Sequence, residues 1–144
     1  MRSAIKLFLA ELSLKLIPEE DLHDELFNFL WKKSSMLEEK DTSLSSFNLS
    51  FVHELSQILG FQPNFNTDGE YFDYRESQFV SNKPTHQDFE FGLNEPVKRF
   101  LSGNSLNRNE RSKLLNFYLL YFEAQFGGNI SRLKSLEVLQ AVFA

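Results

Sequence analysis

A chain of 144 residues with no cysteine fits one domain that can bury a core unaided, and the lack of thiols excludes disulfides, thiolate zinc sites and cysteine nucleophiles together. The formal net charge of −5 hides an asymmetry: residues 1–95 carry 17 acidic against 8 basic side chains, whereas residues 96–144 carry 3 against 7. A local basic face can therefore hold a phosphate backbone or an acidic peptide on an acidic protein, although the same charges also fit ordinary solvated helix faces.

The first element expected is a helix over residues 2–17, with Ile5, Phe8, Leu9, Leu12 and Leu16 on one stripe and Ala4, Leu7 and Leu14 widening it. Lys6, Glu11 and Lys15 interrupt this run, leaving it well short of the roughly 20 apolar residues of a membrane span. No small-residue cleavage site follows it, so the expectation is a cytoplasmic protein, neither secreted nor membrane-bound. Pro18 ends the helix, and Glu19, Glu20, Asp21, Asp24 and Glu25 suit the positive end of a second one running to about Glu39. Its inward face is Leu22, Leu26, Phe29, Leu30 and Leu37, with Lys32 and Lys33 in the last turns and a break at 40–43.

A third helix covers about 44–59, with Phe51, Val52, Leu55, Ile58 and Leu59 in register and Gly60 as the cap before Pro63. Helical spacing then stops. Residues 70–74 and 78–80 flank Arg75, Glu76 and Ser77 as a short hairpin, and the stretch to Asn94 reads as irregular, with Phe89 and Phe91 pinning it to the core. Pro96 opens a short helix to about Leu101. Asn107 and Glu110 form a capping-box pair that starts a helix over 108–126, whose core face is Leu114, Leu115, Tyr118, Leu119, Tyr121 and Phe122. Gly127, Gly128 and Asn129 end it, and a last helix covers 132–143. The expected fold is mainly α: one domain over 1–144, a bundle of about six helices interrupted by a short β-hairpin excursion within 65–95. The sixteen phenylalanines are expected to fill its core.

Several strings in this order resemble a known family. They are Ser3-Ala4-Ile5 through Leu16, Leu59-Gly60-Phe61-Gln62-Pro63-Asn64, Tyr71-Phe72-Asp73, Leu106-Asn107-Arg108-Asn109-Glu110-Arg111 and Leu133-Lys134-Ser135-Leu136-Glu137-Val138-Leu139. With their spacing across nearly the whole chain, they resemble the C-terminal helical domain of the RecO family of recombination mediators. On that resemblance the chain is a fragment lacking the N-terminal OB-fold. It also lacks the four-cysteine zinc ribbon that many relatives insert after the Leu-Gly-Phe segment, so a hairpin without its metal is expected. Asp68, Asp73 and His86 offer no closed ligand pattern.

The resemblance implies a DNA repair and homologous recombination factor that binds and is not an enzyme, with no cofactor. The complete protein would engage the acidic, hydrophobic C-terminal tail of single-strand-binding protein, RecR, and single- and double-stranded DNA. It would promote strand annealing and load RecA on coated single strands, associated with the nucleoid.

Among the residues themselves, His23, His53 and His86 fit no catalytic motif. His53 is expected at a surface or a satisfied interface, and His86 beside Asp88 facing solvent. Gly127-Gly128 follows a helix, so it reads as a cap and not a phosphate loop. Local charge places the candidate partner or DNA site at Lys98, Arg99, Arg108, Arg111 and Lys134, where cations beside exposed Phe100 or Leu106 would suit an acidic peptide with an apolar side chain. Two other readings stay open. One is a structural scaffold without its own ligand; the other is direct nucleic-acid binding through the basic half and Lys32-Lys33.

Overall fold

The computed structural model describes residues 10–11, 24–36 and 44–126. The expected break at 40–43, the stop at 127–129, the last helix with Lys134 and all but two residues of the opening helix lie outside them. Among the described residues the order is α1 (Asp24–Met36), α2 (Leu44–Ile58), β1 (Tyr71–Asp73), β2 (Gln78–Val80), β3 (Phe89–Phe91), α3 (Asn94–Leu101) and α4 (Arg108–Phe126). The mainly helical class holds. The four helices are the inner four of the expected six; apart from residues 10–11, the first and last of that set fall outside the described residues.

The helix ends follow local chemistry. Gly60 takes φ +85°, and Phe61 N–H donates to Ser56 O at 3.2 Å while Gly60 N–H donates to Gln57 O at 3.2 Å, which satisfies the last carbonyls of α2 through a left-handed cap. At the other end of the chain, Asn107 Oδ1 accepts the Glu110 N–H at 2.8 Å and Glu110 Oε1 accepts the Asn107 N–H at 3.1 Å. The expected capping box is thus formed and sets the start of α4 at Arg108. The short helix begins at Asn94, two residues before the expected Pro96, because proline needs no intrahelical partner for its nitrogen anywhere in the first turn.

The hairpin expectation is right for β1 and β2, which pair antiparallel with Tyr71 opposite Val80 and Asp73 opposite Gln78. Asp73 Oδ1 accepts the N–H groups of Arg75 at 2.8 Å and Glu76 at 3.2 Å, so its carboxylate builds the turn in place of a backbone acceptor. The stretch read as irregular contains a third strand. β3 pairs with β1 with Tyr71 opposite Phe91 and Asp73 opposite Phe89, giving the order β2-β1-β3. Three residues are too few to display alternation against a background of turns, and the pairing comes from β1 rather than from local preference.

Phe72 has no exposed surface and centres the junction of sheet and helices. Its ring centroid lies 4.8 Å from Phe117 and 5.2 Å from Phe79, both edge-on, with Phe65 at 6.1 Å. Edge-to-face rings at such separations gain electrostatically beyond their buried area. On α2, Phe51, Val52 and Leu55 are fully buried; on α4, Leu114, Tyr118, Leu119, Tyr121 and Phe122 are buried as expected and Phe117 joins them, while Leu115 is half-buried. The pinning role expected of Phe89 and Phe91 is corrected: Phe89 is half-buried against Tyr71, 5.7 Å away, and Phe91 is 59% exposed. Both share the outer face of the sheet with Tyr71, because pairing with β1 sends Glu90 to the helical side instead.

Phe29 of α1 is buried and stacks on Phe51 at 5.4 Å. Lys33 stands in the last turn as expected, and it is buried there, with its ammonium paired to Glu54 of α2 and 5.7 Å from the Phe29 ring centre. Its aliphatic stem covers apolar surface while its head reaches the half-exposed carboxylate.

Candidate functional site

Four of the five cations marked in the sequence fall on the last turn of α3 or the first turn of α4, in two different situations. Arg99 reaches across the corner between the two helices: Nη1 donates to Glu110 Oε2 at 2.6 Å and Nη2 to Ser105 O at 3.2 Å. Arg111 Nη1 donates to Leu106 O at 2.6 Å. Both guanidinium groups therefore brace the loop at 102–107, using the fork geometry that lets arginine hold two acceptors. Lys98 and Arg108 are exposed, and their side chains make no hydrogen bond or ion pair among the described residues. Lys134 lies outside the described residues.

The apolar partner of these cations differs from the expected one. Phe100 and Leu106 are partly buried against the core, and Phe100 meets the His53 ring edge-on at 5.1 Å. Leu101 is the exposed side chain, at 51%. It stands three residues after Lys98 and so shares its face of α3. An exposed leucine beside an ammonium, with the Arg108 guanidinium at the first position of the next helix, can take an acidic ligand that also carries an apolar group. Lys113 is on a separate surface, donating from Nζ to Gly92 O at 3.2 Å.

Other titratable groups are structural. His53 Nδ1 and the Tyr118 hydroxyl lie 2.7 Å apart, so this histidine is a satisfied interface residue joining α2 to α4. Burial holds its pKa below the ordinary 6.5, with Glu54 pulling weakly the other way, and burial also pushes the Tyr118 hydroxyl up. His86 is not solvent-facing as expected. Its Nδ1 accepts the Asp88 N–H at 3.0 Å, which leaves Nε2 to carry the proton toward Asp73 Oδ2, also at 3.0 Å. Asp88 Oδ2 in turn accepts from Arg75 Nε at 2.9 Å. One aspartate thus holds both the hairpin turn and the segment leading into β3. The spacing of Asp73 and His86 gave no signal, since they are thirteen residues apart, one ending β1 and the other on the loop before β3. Among the described residues no group of three or more histidine, aspartate or glutamate side chains is placed to hold a metal ion, and no helix is long and apolar enough to cross a membrane.

Comparison with known proteins supports the resemblance read from the sequence. The family described as "Recombination protein O C terminal" matches residues 1–138. The chain is 37% identical over 154 aligned positions to the DNA repair protein RecO of Azobacteroides pseudotrichonymphae, 32% over 153 to that of Bacteroides fragilis and 30% over 156 to that of Phocaeicola vulgatus. Each alignment covers 99% of this chain and 63% of the relative, so the chain spans less than two thirds of the length of these proteins. No solved structure matches it. With a helical domain closed on a small antiparallel sheet and a family match over nearly its full length, the chain belongs to the RecO family and corresponds to its C-terminal region.

Proposed function

We propose that this chain is the partner-docking part of a DNA repair and recombination mediator, acting by binding and not by bond chemistry. Its principal ligand is the acidic, hydrophobic C-terminal tail of single-strand-binding protein, taken at the corner of α3 and α4. In the complete protein this docking operates together with RecR and with single- and double-stranded DNA, supporting strand annealing and RecA loading on strands coated by single-strand-binding protein. The observation that carries the reading is the combination of exposed Lys98, Leu101 and Arg108 on a corner whose backbone is held by Arg99 and Arg111. A braced frame keeps the exposed groups in place before the ligand arrives, which lowers the ordering cost of binding.

Fluorescence anisotropy of the 144-residue chain with the tail peptide, and separately with a single-stranded oligonucleotide across a salt series, tests the reading. Peptide affinity should fall at least about tenfold in a Lys98→Glu, Arg108→Glu variant, since like charges then face the ligand. A peptide anchored by an apolar side chain keeps part of its affinity in salt, whereas phosphate binding collapses steeply through counterion release. Strong, salt-sensitive oligonucleotide binding without peptide binding would move the chain to the nucleic-acid class. Absence of both ligands would leave the scaffold reading.

A further inference from the structure

The sheet has two edges, and they are treated differently. Outside β2, Asn64 forms a parallel bridge to Gln78 and the Phe79 N–H donates to Thr67 Oγ1 at 2.9 Å. That edge is occupied. Outside β3 no strand or loop pairs among the described residues. Tyr74 N–H donates to Asp88 O at 2.9 Å and Gly92 N–H to Glu70 O at 3.4 Å, so positions 88, 90 and 92 turn their backbone toward β1. Antiparallel alternation then points the N–H and C=O of Phe91 away from the sheet. Phe89 keeps its N–H on Gln87 O at 3.0 Å, leaving its carbonyl on the outer side.

This edge borders a depression of about 350 Å³ between β3 and α4, walled by Glu90, Lys113 and Asn116 over Phe117 and Leu120. Leu120 is 36% exposed, and Phe91 on the opposite face of the strand is 59% exposed. An extended segment added along β3 would place alternate side chains over this depression and beside the Tyr71, Phe89 and Phe91 rings. Charge selects its composition. Glu70, Glu90 and Glu95 border this edge against Lys83, 5.9 Å from the Phe89 ring centre, and Lys113, whose Nζ donates to Gly92 O; Asp88 is paired with Arg75 and Asp73 is buried. The rings thus present faces to cations, and exposed Glu70 and Glu95 flank them in sequence.

We propose that the outer edge of β3 and the adjoining depression on α4 form a docking site for an extended, basic segment of a partner protein, added to the sheet as a fourth strand. This surface is separate from the α3–α4 corner and is bordered by more acids than cations, so it would take a different partner from an acidic tail.

The test uses the 144-residue chain and a fluorescein-labelled, capped hexapeptide alternating arginine and valine, read by anisotropy. Saturable binding is expected with a Kd on the order of 100 μM, since the paired strand is short. Phe91→Pro removes the outward N–H together with the exposed ring, a change an edge strand tolerates, and Leu120→Arg places a cation in the depression. Each should weaken binding about tenfold or more, as should aspartate in place of arginine in the peptide. Lys98→Glu with Arg108→Glu should leave it unchanged, which separates this site from the corner. Circular dichroism confirms folding, and Leu120→Arg alone decides if Phe91→Pro unfolds the chain. No binding at about 1 mM, equal affinity in the folded variants, or preference for the aspartate peptide would each overturn the proposal.

Discussion

Arg99 Nη1 lies 2.6 Å from Glu110 Oε2 while the other oxygen of the same carboxylate accepts the Asn107 N–H at 3.1 Å. One side chain therefore closes the capping box of α4 and ties the end of α3 to it. Glu110→Ala should cost about 1–2 kcal/mol by urea unfolding, because the cap and the ion pair are lost together. Arg99→Ala should cost less, about 0.5–1 kcal/mol, as Arg99 is partly in water. A double-mutant cycle giving no coupling between them would show that the contact does not brace the corner.

The buried ammonium of Lys33 depends on Glu54. Glu54→Ala strands that cation beside Phe29 and should destabilise the fold by about 2 kcal/mol, a value discounted because Glu54 is itself 43% exposed. Replacing both partners, Lys33→Met with Glu54→Leu, removes the two charges together and should be nearly neutral. Thermal and urea unfolding of the two variants side by side decide the matter; equal losses would mean that packing of the stem, not the unpaired charge, sets the cost.

His53 is held neutral by burial, its folded pKa below the 6.5 of the unfolded chain. Well above pH 6.5 neither state is protonated and the histidine adds no pH dependence. As the pH falls through 6.5 the unfolded state takes up the proton first, so stability declines until the folded pKa is passed. His53→Gln should flatten this acid-side decline relative to the parent chain in urea midpoints measured from pH 7.5 to 5. Parallel curves would rule out His53 as the source.

Two glycines with positive φ should respond differently to alanine. Gly69, at φ +154°, has the Val80 carbonyl where a Cβ would stand, so Gly69→Ala must shift the β1–β2 pairing and should cost about 3 kcal/mol or more. Gly60, at φ +85°, faces open space and carries only the backbone penalty, about 1 kcal/mol. Comparable unfolding midpoints for the two variants would contradict the close approach at Gly69.

The sequence by itself determined the helical class, the inner helices, the capping box at Asn107 and Glu110 and the β1–β2 hairpin, because each rests on interactions within a few residues. It also carried the family resemblance, which lies in ordered strings rather than in contacts. Tertiary structure decided whether a charge is free. Arg99 and Arg111 fitted solvated helix faces and Lys33 a last-turn cation, yet each meets an oxygen on another element or loop. It likewise decided the third strand, which exists because β1 offers it a pairing edge, and the Asp73–His86 contact across thirteen residues. Local spacing fixes which face of a helix a side chain occupies; only the packed neighbours fix whether that face meets water, a carboxylate or another ring.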